Sequence, residues 1–527
     1  MKLPTLHSPL STFFCLLLLL AGCIRSDSDS KQQPIEQPLK GLTLRLAVVD
    51  DPALAAAIMR ARGEWSAETG SEVEVVETTE KALLKADRLP ADAVVCPAYL
   101  VGVLAEREWL APVPKRILSS PEWAGVFELP KLREAAWGKQ PMAIPFGSPV
   151  FCCYYRADLL EKLGRRPPRT WAEYQELAKL LAKNPPRPPA EEEQISKNSP
   201  RPLVEGQGVR AWSGTIEPLA PGWAGLVLLA RAAPSIKHRD NYSALFNLDT
   251  MEPMIASPPM VQALEELVAT AKFGPADPFR YDPAAARAAF WSGRCGMALT
   301  WPSKGRERRG AGETGRLGEY SEHSVSLSPP LLVSPSSFSP SPLSPPRVGF
   351  VELPGSRRVF NPGGNVWDQR ADDEDSHVPL LTIAGRLGVV GKTSAQADAA
   401  FQLLLWLSGS RMSPQISAQS PATTLFRQSN LKSPGQWVEK SAPAAAAWQY
   451  GDATEAALSH EQWLDGLRLP GRAEYLAALD DAVATAVRGE KSPSEALLEA
   501  AAKWQNITTR LGLERQKSAY RHSLGLE

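Results

Sequence analysis

The sequence LTLRLAVV, from Leu42 to Val49, is the stretch that decides the fold. Its apolar side chains first alternate and then run on, which is typical of a strand that enters a buried sheet. The segment DDP at 50–52 ends this strand, and an Ala-rich helical pattern continues to about Thr69, where Gly70 stops it. The stretch therefore predicts a buried strand followed by a helix.

Two more strands follow at short intervals. Val73 to Val76 is the second predicted strand, and DAVVC at 92–96 is the third, followed by Pro97-Ala98-Tyr99. Strands that alternate with helices in this way form parallel, doubly wound sheets. The predicted fold class is therefore α/β.

Three later helices are predicted from capping boxes, in which a hydroxyl and a Glu or Gln satisfy backbone donors reciprocally. They begin at Thr170, Thr393 and Ser492, each with Glu or Gln three residues later. Two segments between the elements, Pro185 to Pro202 and Ser321 to Pro346, are too rich in Pro, Ser or charge to order themselves. We expect both to be disordered surface insertions.

The N-terminus indicates export. An apolar stretch from Phe13 to Leu20 follows Lys2 and is too short to span a bilayer, as in a secretory signal. Cys23 directly after Leu20-Ala21-Gly22 resembles the lipobox of bacterial lipoproteins. This resemblance implies cleavage after residue 22, a lipid on Cys23 and a flexible tether over 23–40. An ordinary signal peptide with a chance cysteine is the alternative.

Composition limits the function classes. Lys and Arg number 58, as do Asp and Glu, so the 527-residue chain has no formal net charge, which argues against a nucleic-acid partner. Cys96, Cys152, Cys153 and Cys295 lack metal-ligand spacing, so we expect no metal site. Isolated buried thiols are favoured for these four, and a disulfide stays open.

We find no sequence motif of an enzyme. G-x-S-x-G, the P-loop, H-E-x-x-H and a strand-coupled G-x-G-x-x-G are all missing from the sequence. We therefore predict a protein that is not an enzyme and needs no cofactor. A glycosidase pair of carboxylates drawn from distant positions stays open as an alternative.

Tryptophans are the most distinctive candidates for a binding site. Trp212, Trp223 and Trp301 lie beside Ser, Gly or Pro in predicted loops, and Trp367 follows Gly364 by three residues. Indole faces pack on the apolar faces of sugar rings, and concave sites combine such surfaces with a few polar groups. Core packing is the alternative for each one.

Several segments, spaced along nearly the whole chain after the signal, resemble the extracellular solute-binding proteins of ABC importers, in the carbohydrate-binding branch. The most specific is YYRADLLEKLG at 154–164 with PPRTW at 167–171, after Pro145-Phe146. The others are DAVVCPAY at 92–99 with WLAPV at 109–113, FWSGRCGMA at 290–298, VELPG at 351–355, GRLGVV at 385–390 with LWLS at 405–408, and the helix of 489–504.

The resemblance implies a two-lobed binding-protein fold of type II, with ligand in the cleft between two doubly wound lobes that close by hinge bending. It places 41–145 and 290–378 in the first lobe, and 146–289 and 379–527 in the second. It further implies an ABC permease and its ATPase as partners. We expect a monomer that faces the periplasm and is lipid-anchored to a membrane of the cell envelope.

Ligand-binding residues follow from the resemblance at the strand ends that face the cleft. These are Asp50, Ala98, Tyr99, Trp301, Gly385 and Arg386, to which the tryptophan pattern adds Trp212, Trp223 and Trp367. We expect Trp223, Trp301 and Tyr99 to stack on the ligand, and Asp50 and Arg386 to bind its hydroxyl groups.

The leading hypothesis is a receptor that delivers a small polar ligand, a sugar or oligosaccharide, to an ABC importer. A sensor or scaffold of the envelope without transport, on the same fold, is the first alternative. A secreted glycoside hydrolase is the second.

Overall fold

The computed structural model describes residues 37–186, 212–304 and 347–527. Outside these residues lie Cys23 with its signal segment, the tether up to residue 36, and the predicted insertion at 321–346. The predicted insertion at 185–202 also lies outside them, except for its first two residues. None of the described helices is long and apolar enough to cross a membrane.

The described strands are β1 (Thr43–Val49), β2 (Glu72–Thr78), β3 (Ala93–Pro97), β4 (Ala136–Trp137), β5 (Gln140–Pro141), β6 (Ala143–Gly147), β7 (Cys152–Arg156), β8 (Ser213–Ile216), β9 (Cys295–Thr300), β10 (Val348–Glu352), β11 (Arg358–Asn361), β12 (Val366–Gln369), β13 (Leu380–Leu381), β14 (Arg386–Val390) and β15 (Leu464–Asp465).

The described α-helices are α1 (Pro52–Thr69), α2 (Glu80–Lys85), α3 (Leu100–Glu106), α4 (Lys115–Leu118), α5 (Pro121–Ala124), α6 (Ala157–Lys162), α7 (Trp171–Lys183), α8 (Ala224–Ile236), α9 (Pro258–Ala271), α10 (Pro283–Trp291), α11 (Ala397–Ser408), α12 (Ala444–Ser459), α13 (Arg472–Val487), α14 (Pro493–Leu511) and α15 (Leu513–Ser523). A π-helical turn spans Pro130–Glu134, and short 3-10 turns span Pro278–Arg280, Ser417–Gln419, Gln428–Lys432 and Pro434–Gln436.

The first lobe is built on a five-stranded sheet in the order β2-β1-β3-β14-β6. The predicted unit is its parallel half, since β1 lies between β2 and β3 with Leu46 opposite both Val75 and Ala93. Strands β14 and β6 continue the sheet in antiparallel fashion. The apolar run of β1 packs against α1 and α11 in one core, as its sequence predicted.

The second lobe is built on a four-stranded sheet in the order β10-β7-β9-β8. Only the pair of β8 and β9 is parallel. Helices α6 and α7 cover one face, and α12 packs against the other at β10. Helices α8, α9, α13 and α14 pack on one another and form the largest apolar core of the lobe, and α9 also contacts α7.

The strand pairing differs from the expected division into lobes. The segment 290–378 was assigned to the first lobe, but its strands β9 and β10 pair with β7 in the second sheet. The segment 379–527 was assigned to the second lobe, but β14 pairs with β3 and β6 of the first sheet, and α11 packs there. A buried apolar strand fits either sheet, so its local sequence does not choose its neighbours.

The chain crosses between the lobes at three described places. The crossing segments are 148–151 between β6 and β7, 382–385 between β13 and β14, and 409–443 between α11 and α12. The short strands β13 and β15 pair in parallel beside the second crossing. A hinge between the lobes must bend at these segments.

The helix starts follow the sequence in two of three predicted cases. Thr170 caps α7 by accepting from the N–H of Glu173, and Ser492 forms a full capping box with Glu495 at α14. The prediction at Thr393 was wrong, because α11 begins at Ala397 with Gln396 as its N-cap. The hydroxyl of Ser394 instead donates to Asp92, which ties the loop to the start of β3.

Candidate functional site

The carboxyl ends of β1 and β3 meet at the edge of the first sheet, where doubly wound folds bind ligands. Asp50 directly follows β1, and Ala98-Tyr99 directly follow β3. Asp50 is exposed and has a φ of 47°, and its Oδ2 accepts from the N–H of Glu80 at 2.8 Å. Asp50 therefore binds the first backbone N–H of α2, whose N-cap is Thr79, and its side chain stays exposed.

Arg386 is held by partners within the protein. Its Nε donates to Oδ2 of Asp51 at 3.0 Å, and its two terminal nitrogens donate to the carbonyl oxygens of Gly385 and Asp50 at 3.1 and 3.3 Å. Asp51, 3% exposed, also accepts from the hydroxyl of Ser420 at 2.5 Å. This buried pair joins β1, β14 and the third crossing segment.

Sequence reasoning missed Asp51. The signal that could have identified it is the DDP segment, because an Asp before Pro at the first helical position is a typical N-cap. Its Oδ1 does accept from the N–H of Leu54 at 3.0 Å. Asp51 therefore caps the N-terminus of α1 and also pairs with the guanidinium of Arg386.

Tyr99 forms a contact between the lobes. Its hydroxyl donates to Oε2 of Glu80 at 2.7 Å, and the guanidinium of Arg472 lies 4.0 Å from its ring centre. Arg472 begins α13 in the second lobe. Burial, with the charge of Glu80, raises the pKa of Tyr99 well above its usual value, so the phenol stays a proton donor.

Gly385 marks a close approach of two crossing segments. Its φ is 90°, and a Cβ at this position would lie 2.8 Å from the carbonyl oxygen of Gly147. Its own carbonyl accepts from the N–H of Ala98, which is fully buried, at 3.3 Å. Only glycine fits this junction, and both predicted residues have structural roles there.

Three aromatic side chains form a cluster where β7, α8 and β9 begin or end. We call Phe151, Trp223 and Trp301 the aromatic cluster; its ring centres lie 5.6 to 6.4 Å apart. Trp301 is 4% exposed, and its Nε1 donates to the carbonyl of Pro421 in the third crossing segment at 3.1 Å. Trp223 is half-buried and is the more exposed of the two tryptophans.

The structure thus brings Trp223 and Trp301 together with Phe151. Sequence reasoning missed Phe151, although it directly precedes the strand of the most specific motif. The other two predicted tryptophans have different neighbours. Trp212 donates to the carbonyl of Leu181 on α7 at 2.7 Å, and Trp367 packs on Phe360 within the β11–β12 hairpin.

The four cysteines that the structure describes, Cys96, Cys152, Cys153 and Cys295, are free and buried. Burial raises the pKa of Cys96 to about 12, so its thiol is neutral and unreactive at physiological pH. Among residues 37–186, 212–304 and 347–527, no group of His, Cys, Asp or Glu is arranged to hold a metal ion.

Comparison with known proteins adds two findings. The sequence model of a family described as bacterial extracellular solute-binding protein matches residues 50–412. A comparison with curated protein sequences found no match.

Solved structures with a similar fold are sugar- and polyol-binding proteins. One is an ABC transporter solute-binding protein of Agrobacterium radiobacter K84 in complex with ribitol, at 16% identity and a TM-score of 0.58, over 89% of this chain and 100% of that one. Another is the maltose-bound MalE3 of T. maritima, at 17% identity and a TM-score of 0.56, over 88% of this chain and 100% of that one. A third is the sugar-binding protein MalE of Xanthomonas citri, at 16% identity and a TM-score of 0.59, over 89% of this chain and 98% of that one. At these identities the likeness establishes the fold.

Proposed function

Because the chain belongs to the family of bacterial extracellular solute-binding proteins, we propose that it is a receptor that binds a sugar or polyol between its lobes and delivers it to an ABC importer. The observation that carries this proposal is the aromatic cluster at the junction of the lobes, with the partly buried Trp223 beside Trp301. Such a surface suits the apolar face of a sugar ring.

The charges at the first-lobe edge favour a neutral ligand. Asp51 and Arg386 are paired with each other and with backbone groups. The carboxylate of Asp50 is exposed to a ligand, and the Tyr99 hydroxyl, which donates to Glu80, can still accept from a ligand hydroxyl group. Carboxylates and phenols bind the hydroxyl groups of uncharged sugars as well as those of polyols.

Calorimetric titration tests this proposal. The purified protein would be titrated with maltose, ribitol, mannitol and tagatose, the ligands of proteins with this fold. We expect at least one to bind and to be recovered intact, because a receptor performs no chemistry. Recovery of a cleaved maltose would instead make the protein a hydrolase.

A pair of variants locates the binding site. Trp223→Ala should lower the affinity about tenfold or more, because a stacked aromatic surface contributes on the order of 1 kcal/mol beyond its buried area. Trp448→Ala is the matched control, since Trp448 lies on α12 with 53% of its surface exposed. Equal affinities of the two variants would contradict this site.

We also propose that Cys23 carries a lipid that keeps the receptor at a membrane of the cell envelope, as a monomer beside the permease. The family supports an envelope location, and the LAGC segment supports the anchor. Labelling of cells with a palmitate analogue tests the anchor. Wild-type protein should take up the label, and Cys23→Ser should not.

A further inference from the structure

One buried carboxyl joins two of the three crossing segments. Oε1 of Glu134 accepts from the N–H of Thr382 at 2.8 Å, and Oε2 accepts from the hydroxyl of Ser148. Ser148 is the first residue after β6, and Thr382 is the first after β13. Each of the three residues is at most 1% exposed. Any bending between the lobes that separates these segments must break or move this bridge.

Thr382 is a strained residue within this bridge. Its φ is +56°, a left-handed conformation that is rare for a β-branched side chain and costs about 1–3 kcal/mol. Its hydroxyl donates to the carbonyl of Leu381 at 2.7 Å and accepts from the N–H of Gly466 at 3.1 Å. The bonds to Glu134 and Gly466 therefore hold the second crossing segment in a conformation that it would not adopt alone.

The charges around Glu134 do not neutralise it fully. Arg468 lies nearby, but its guanidinium donates to the carbonyl oxygens of Arg133, Glu134 and Ala136 at 2.7 to 3.0 Å. Asp465 on β15 adds a second negative group, and Lys237 and Arg133 face Asp465. The carboxylate of Glu134 is therefore buried, and no cation of the described residues forms an ion pair with it.

We propose that Glu134 forms a proton-sensitive bridge across the hinge. It holds the two crossing segments together when protonated and releases them when ionised. A protonated carboxyl keeps both bonds, since Oε1 still accepts from Thr382 while Oε2–H donates to the Ser148 oxygen. The ionised form carries an unpaired buried charge, which favours a conformation that lets water reach it.

The direction of the pH effect follows from linkage. Burial raises the pKa of Glu134 to about 7, although the bonds from Ser148 and Thr382 lower it and Asp465 raises it further. In a hydrated, open hinge the pKa falls toward the ordinary 4.5. The bridged conformation is therefore most favoured below pH 4.5. The ratio of bridged to open molecules falls by up to about tenfold per pH unit above this value, and the preference is lost as the pH rises through 7.

Small-angle X-ray scattering of the full chain without ligand tests this proposal between pH 5 and pH 8. We expect the radius of gyration to rise in a step near pH 7 in the wild type. Glu134→Gln should stay compact and show no step, because its amide keeps both bonds and does not titrate. Ser148→Ala should have a larger radius already at pH 5, because it removes the bond that joins Glu134 to the first crossing segment.

Glu128→Gln is the matched control and should keep the wild-type step, since Glu128 precedes the same π-helical turn but has a side chain 64% exposed. A step that persists in Glu134→Gln, or a wild type without a step, would overturn the proposal. No ligand is needed, so either failure leaves the proposed receptor function to be judged by calorimetry alone.

Discussion

The two sides of the candidate site are built from different kinds of side chain. On the first-lobe side, Asp50, Asp51 and Arg386 form a polar network at the ends of β1 and β14. On the second-lobe side, the aromatic cluster offers ring faces and edges. The polar side uses most of its hydrogen bonds to join strands and crossing segments, whereas the aromatic side keeps part of one indole accessible.

This difference indicates that the polar side chains mainly stabilise the fold and that the aromatic side chains mainly bind the ligand. A buried ion pair with directional bonds fixes the geometry of the lobe edge, because losing one partner leaves a charge without compensation. An aromatic surface can bind an uncharged ligand, because ring packing does not depend on a charged partner. We therefore expect substitutions on the polar side to change mainly stability, and substitutions at the accessible aromatic face to change mainly affinity.

The largest effect should come from Asp51→Ala. The change leaves the guanidinium of Arg386, which is 7% exposed, without its counter-charge and removes the N-cap of α1. We expect the free energy of unfolding to fall by about 3–5 kcal/mol, measured by urea denaturation. A loss below ~1 kcal/mol would show that the polar network does not hold the lobe edge.

Trp301→Ala tests the buried part of the aromatic cluster. The indole packs on Phe151 and donates to Pro421, so its removal leaves a cavity and an unpaired carbonyl. We expect a loss of about 3–4 kcal/mol in the free energy of unfolding, measured by urea denaturation. Trp223→Ala should lose clearly less stability, and a reversed order would contradict the assignment of the accessible ring.

A charged cluster close to the aromatic side predicts a pH effect. His460 bonds to Glu352 at 2.6 Å and to Asp375, and Glu352 lines the same small cavity as Phe151. Burial lowers the pKa of His460, but the bonds to Asp375 and Glu352 outweigh it and raise the pKa to about 9.

Since this pKa lies above the unfolded value of 6.5, the stabilisation is complete below pH 6.5 and is lost as the pH rises through 9. It should amount to on the order of 2 kcal/mol. The difference in unfolding free energy between wild type and His460→Ala, measured at pH 6 and pH 10, isolates this contribution. A difference that stays constant with pH would contradict the predicted protonation.

The smallest effect on stability should come from Asp50→Asn. Asparagine tolerates the left-handed φ of 47° and keeps an oxygen that accepts from Glu80. We expect the unfolding free energy to change by less than about 0.5 kcal/mol. A fall in affinity for the calorimetric ligand without this stability loss would place Asp50 on the ligand, in contrast to its neighbour Asp51.

The sequence by itself determined the elements whose physics is local. The apolar run of β1, the helix that Asp51 and Gly70 delimit, and the cap at Ser492 each depend on neighbours along the chain. The fold class followed from the order of such elements, and the family resemblance followed from motifs such as residues 154–164.

Only the tertiary structure decided which sheet received β9, β10 and β14, because a buried apolar strand satisfies its hydrogen bonds equally well in either one. It also decided the roles of side chains whose partners lie far away in sequence. Arg386 meets Asp51 from 335 positions away, and Glu134 meets Thr382 from 248 positions away. No local pattern encodes such pairs, since their energy depends on burial and distance that exist only after the chain has folded.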